Sequence, residues 1–135
     1  MNQEFKHIAL ELQTERPLIF TAMSKHLFYF RLHIQKFVLE NGGIPLNPFT
    51  TFDYFLLDTV DRDLIREGNN NLVRRSDELW VFGSISNGVL AEIEQVKKQN
   101  KPIKYFAIKN SKNIIEITKD QVEMEDEVKE FKNKL

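Results

Sequence analysis

Apolar residues along the chain follow two alternating rhythms. Short runs of strand formers occur at Pro17-Leu18-Ile19-Phe20-Thr21-Ala22, Leu79-Trp80-Val81-Phe82 and Ile103 to Ile108, and stretches with helical spacing separate them. After the first run, Ser24 can cap a helix whose stripe is Leu27, Phe30, Ile34, Phe37 and Val38, and Gly42-Gly43 marks its stop. Ile44-Pro45-Leu46 reads as an outer strand, because proline cannot donate to a ladder. Asn47-Pro48-Phe49 turns the chain into a loop with Thr50, Thr51 and Phe52. Asp53 to Arg75 holds one or two helices with Ile65, Leu72 and Val73 facing inward, weakened at Gly68-Asn69-Asn70-Asn71. The three asparagines there read as a kink or helix end rather than a site. A helix from Val89 ends at the polar Gln99-Asn100 break, and Lys109 to Asn113 is a polar loop or hairpin before a last strand, Ile114 to Ile117. Met1 to Glu15 forms a leading arm or short helix. Thr118 to Leu135 reads as a terminal helix whose thin stripe, Val122 and Val128, suits packing at an edge or on a partner subunit.

Strands alternating with helices imply an α/β fold, a parallel sheet wound on both faces. The simplest strand order for five strands is 2-1-3-4-5, which opens a crevice between the first and third strands. At 135 residues the chain suits one domain over its whole length, 1–135.

The most informative stretch is Ser76 to Phe106, a strand, a small polar loop from Gly83 to Gly88, a helix and a strand. In a parallel sheet such a loop lies at the carboxyl end of its strand and opens onto a helix N-terminus whose free N–H groups favour anions. Glu92 sits on the first turns of that helix. With a cap at Ser86 or Asn87, the reciprocal capping position is Val89 or Leu90, so Glu92 is not part of a capping box. It falls at the margin of the buried arc of Val89, Leu90, Ile93 and Val96, and Gln95 and Val96 at helical spacing offer no cation. Glu94, with Lys97 and Lys98, is a solvated surface pair by contrast. The bland account of Glu92 is dipole stabilisation of a few tenths of a kcal/mol.

The run Ser86-Asn87-Gly88-Val89-Leu90-Ala91-Glu92, with the apolar strand Ile103 to Phe106 beyond it, resembles the nucleoside 2-deoxyribosyltransferase-like superfamily. That group contains deoxyribosyltransferases and nucleoside 5′-monophosphate N-glycosidases on a flavodoxin-like fold. The resemblance implies that Glu92 attacks the anomeric carbon, that Ser86 and Gly88 receive a 5′-phosphate, and that Asp77, just before the strand, helps hold the substrate. Ser at position 86, where the transferase branch has Asp, is closer to the phosphate-reading branch. Two departures are the loop Thr21-Ala22-Met23-Ser24-Lys25-His26, where relatives often carry Gly or Tyr, and Ile93-Glu94-Gln95 after Glu92. The resemblance also implies a homo-oligomer in which a neighbouring chain helps close the pocket, with Lys109-Asn110-Ser111-Lys112 and the terminal helix as candidates for that contribution.

The chemistry explains the residue types. Breaking a C–N glycosidic bond develops positive charge on the sugar, which one carboxylate can stabilise or capture, while a second group, for which Asp77 is the candidate, assists the leaving base. Gly83 to Gly88, Asn87 included, can bring backbone and hydroxyl donors to an oxyanion. Ser24, Lys25 and His26 face that loop across the same crevice and can meet phosphate or a base edge, although a plain N-cap suffices for Ser24. Among the aromatic residues, Phe28, Tyr29, Phe49, Phe52, Tyr54 and Phe55 cannot all face one core, and some line a pocket or a subunit contact.

Composition narrows the alternatives. A net charge of −1 gives no basic field for polymeric nucleic acid. With no cysteine and three scattered histidines, neither thiolate chemistry nor a metal box is indicated, and no cofactor is implied. The amino end lacks a secretory pattern and no stretch approaches the roughly twenty apolar residues of a membrane span, so a cytoplasmic protein off the membrane is expected. Two functions remain: N-glycosidic cleavage or deoxyribosyl transfer on a small-molecule nucleoside or nucleotide, and non-catalytic nucleotide binding or sensing on the same fold.

Overall fold

Successive side chains of a strand point to opposite faces, so each strand here feeds two layers. The computed structural model describes residues 3–110 and 112–135. The elements are β1 (Leu18–Met23), α1 (Arg31–Glu40), β2 (Ile44–Leu46), α2 (Pro48–Thr51), α3 (Tyr54–Thr59), α4 (Arg62–Arg75), β3 (Glu78–Phe82), α5 (Asn87–Lys98), β4 (Ile103–Lys109) and β5 (Asn113–Ile117). They build one sheet in the order β2-β1-β3-β4-β5, with β1 pairing parallel to β2 and β3, and β3 parallel to β4. Only β5 runs antiparallel, joined to β4 by a tight connection in which Asn110 takes a left-handed φ of 52°. The α/β class and strand order match the sequence reading.

Phe20, Ala22, Leu79, Val81 and Tyr105 face one layer and pack with Val73 of α4 and Val89, Ile93 and Val96 of α5. Ile19, Met23, Trp80, Phe82 and Phe106 face the other and meet Ile34 and Val38 of α1. The stripe read for the first helix, including Leu27, Phe30 and Phe37, thus covers one face. Its first part differs in detail: Ser24 caps a 3-10 segment, Lys25–Phe30, that runs into α1. Gly42 takes φ 88° after α1, and a Cβ on Gly43 would lie 2.5 Å from Ile19 Cγ1, so the glycine pair lets the turn press against β1. Pro45 sits on the edge strand as expected.

Three expectations are corrected. The Gly68 to Asn71 tract does not break its helix, because α4 runs unbroken over 14 residues and Gly68 gives room to the Phe52 ring, 2.8 Å from where a Cβ would stand. The span from Pro48 is a short helix rather than loop. The tail is not one α-helix: 3-10 turns at Lys119–Gln121 and Asp126–Lys134 flank an extended stretch in which Met124 bridges to Ile85. Val122 and Val128 are buried against the α4 and α5 layer of this same chain, which answers the choice between edge and partner in favour of the chain's own surface. Among its described residues the leading arm holds only the 3-10 turn Ile8–Leu10 and is exposed; Met1 and Asn2 of that arm lie outside the described residues, as does Ser111 of the 109–112 loop. Among the described residues no helix is long and apolar enough to cross a membrane.

Candidate active site

Where β1 and β3 lie side by side, their outgoing chains part to opposite faces, β1 toward α1 and β3 toward α5, and a crevice is left at their carboxyl ends. A cavity of about 880 Å³ occupies it, within the size range of small-molecule sites. Its walls come from the turn after β1, the start of α5, the middle of α4, the Pro48 to Phe52 segment and the tail.

Ser86 ends the β3 loop in extended conformation and caps α5 by accepting from Val89 N at 3.3 Å. Five residues into α5, Glu92 enters the space between α5 and α4. Its carboxylate Oε2 accepts a 2.8 Å hydrogen bond from Nδ2 of Asn69, while the residue is only 9% exposed. Burial strips hydration from the charged form and pushes the carboxyl up to about 7, an effect that the Asn69 hydrogen bond partly offsets. Oδ1 of Asn69 is itself buried without a partner among the described residues. One turn on, Gln95 Nε2 donates to Asn70 Oδ1 at 3.0 Å, tying the two helices a second time.

Of the residues singled out from sequence, Glu92, Ser86, Asn87, Gly88, Ser24, Lys25 and His26 line this one cavity. A Cβ built on Gly88 meets nothing within 4 Å, so the space beside it is open. Two do not belong. Asp77 precedes β3 and therefore stands at the opposite rim, about 16 Å of strand away at roughly 3.3 Å per residue. There its Oδ2 accepts from Leu18 N at 2.7 Å and its own N–H donates to Leu18 O, which makes it a clamp between β1 and β3. Gly83, with φ 77°, turns away and is packed by Leu27, whose Cδ1 is 2.6 Å from where a Cβ would stand.

The cavity also holds residues the sequence did not single out for it. Asn69 and Asn70 approach Glu92 and Gln95 only because α4 packs beside α5. Glu125 and Glu127 arrive from the tail: Ile85 N donates to Glu123 O and Glu125 N to Ile85 O, which lays the tail along the β3 loop. Ser84 Oγ then donates to Glu125 Oε2 at 3.1 Å, and Asn87 N donates to Glu127 Oε1 at 3.3 Å. His26 Nε2 stands 3.9 Å from Glu125 Oε1. Phe49 and Phe52, by contrast, are among the aromatic residues expected to line a pocket; they join from the Pro48 segment, set by Asn47, which accepts from Phe49 N and donates to Thr21 Oγ1. They continue into a second, largely apolar hollow of about 540 Å³ with Phe28, Tyr29 and Tyr54.

Residues 22–106 match the family described as Domain of unknown function (DUF7768). The chain belongs to this family. Those residues run from the end of β1 to β4 and so contain the crevice except for its tail. No curated protein matches. Among solved structures, a 2-desoxiribosyltransferase from Leishmania mexicana is similar at 13% identity and a TM-score of 0.52, covering 73% of this chain and 79% of that chain. At that identity the likeness is one of fold.

Proposed function

We propose that this DUF7768 chain cleaves the N-glycosidic bond of a nucleoside or nucleotide, with Glu92 as nucleophile, and stands in the deoxyribosyltransferase-like superfamily. The observation that carries the reading is a carboxylate buried in the wall of the crevice, held by Asn69 on one oxygen while its residue faces a cavity of ligand size. A fold likeness to a deoxyribosyltransferase and the Ser86 to Glu92 run add to it.

The sugar lies over Glu92, and the base extends toward Phe49 and Phe52, whose rings offer a stacking surface. Ionised Glu92 attacks the anomeric carbon through an oxygen. The C–N bond breaks with its electron pair passing to the base nitrogen, which takes a proton from solvent, and the sugar stays as an ester on Glu92. Water or a second base then displaces the carboxylate and restores it. Asp77 has no part in this step, being at the far rim.

Chromatography of the common nucleosides and their 5′-monophosphates for free base, beside Glu92→Gln, tests the proposal. Base release is expected from wild type and a loss of about a thousandfold or more from the variant, on the scale of removing a nucleophile, with binding retained. A wild type that binds nucleosides yet never releases base would point instead to a sensor. By the same superfamily likeness we propose a homo-oligomer whose second copy covers the exposed aromatic side chains of Tyr29, Tyr54 and Phe55.

A further inference from the structure

The start of α5, where an anionic substrate group would be received, is already attended by anions of the chain itself. Asn87 N–H goes to the Glu127 carboxylate, Val89 N–H to Ser86 Oγ and Leu90 N–H to Ser86 O. Among the described residues the Gly88 N–H is the one backbone N–H of that first turn without a partner, beside free space. A hydroxyl group is satisfied by one such donor and a carboxylate acceptor. A phosphate needs several donors and no neighbouring carboxylate.

Glu125 strengthens the contrast. Its backbone is bridged to Ile85 and its Oε2 is held by Ser84, so this carboxylate is fixed at the lip of the cavity rather than free to swing out. Together with Glu127 and Glu92 it makes three carboxyl groups on the lining. Opposing them are Lys25, His26 and Arg66. Arg66 is engaged at 3.0 Å by Asp63, His26 faces Glu125, and Lys25 also borders the aromatic hollow.

We infer that Glu125 and Glu127 act as specificity residues that admit a nucleoside with a free 5′-hydroxyl and turn away its 5′-monophosphate. The inference rests on the proposed reading of the crevice as a nucleoside site, and it replaces the expectation that Ser86 and Gly88 receive a phosphate. The Ser86 oxygen is engaged as the helix cap, which leaves its O–H as a single further donor, fewer than a phosphate needs. Like-charge repulsion across a half-buried mouth excludes the dianion, and salt weakens the exclusion.

The test pairs each nucleoside with its 5′-monophosphate at low ionic strength. Base release is followed with wild type and Glu125→Gln/Glu127→Gln, and binding by calorimetry on a Glu92→Gln background. Wild type is expected to favour the nucleoside by about tenfold or more in kcat/KM and in Kd, and the paired substitution to narrow that ratio by about tenfold. Should the double variant fail to fold, Glu127→Gln alone, at an exposed side chain, carries the comparison with about a threefold narrowing expected. Equal or better use of the monophosphate by wild type, or a ratio unmoved by the substitutions, overturns the inference. If neither compound releases base, the proposed reaction fails while the Kd ratio still decides the selectivity. If neither binds, both fall.

Discussion

A carboxyl group carried from water into the space between α4 and α5 loses hydration that a single amide donor does not restore. Glu92 therefore holds its proton up to about pH 7 in the folded chain, against an ordinary value of 4.5. In the window between those values the folded state binds more protons than the unfolded one, so stability falls as pH rises from about 4.5 to 7 and stays lowered above it. Glu92→Gln keeps an acceptor for Asn69 and removes the buried charge. Thermal or urea unfolding is expected to find it more stable than wild type at pH 8, by on the order of 2 kcal/mol, with the difference vanishing near pH 4. Equal stability at both pH values would mean that Glu92 is hydrated after all. Asn69→Leu withdraws the hydrogen bond that lowers the carboxyl's affinity for protons, so in the same series the stability loss still begins near pH 4.5 but continues to higher pH and grows larger. A residue that weakens its own fold at neutral pH is what a site retains for chemistry. Glu92 was legible in the sequence because neither a capping box nor a cation at helical spacing accounted for it. Asn69 was not, since an asparagine inside a helix looks like a weak spot until the neighbouring helix is seen.

At the scale of elements, the rim on which a residue stands decides what it can touch. Asp77 and Ser86 are nine positions apart on either side of β3 and face opposite ends of the sheet. Asp77→Ala removes a clamp between β1 and β3, and chemical denaturation should register a loss of about 1 kcal/mol with base release by the folded fraction unchanged. A collapse of turnover without a change in stability would return Asp77 to the chemistry. The strand that separates the two residues was readable, so that correction was within reach of the sequence. The tail was another matter. Its sparse valines do not tell a 3-10 path from an α-helix, and its bridge to Ile85 depends on the shape of the β3 loop. For that reason Glu125 and Glu127 could not be placed beside α5 in advance.

At the scale of the whole molecule, alternation of strands and helices sufficed to foresee the sheet order, because each strand supplies both layers and parallel neighbours require a crossover. The crevice between β1 and β3 followed from that order, and seven of the residues named for the site do line it. The aromatic surface of Tyr29, Tyr54 and Phe55 lies outside both packed layers. Sedimentation at micromolar concentration is expected to return an oligomer, whereas a stable monomer would leave that surface without the second copy proposed for it. The proposed reaction turns on Glu92 forming a bond to the sugar. Wild type mixed with a nucleoside it consumes, quenched in acid within the first turnovers and digested for peptide mass spectrometry, provides the direct measurement. The peptide containing Glu92 is predicted to gain the mass of one sugar residue, absent from Glu92→Gln; base release with that peptide unmodified, or with the sugar on another residue, would contradict it.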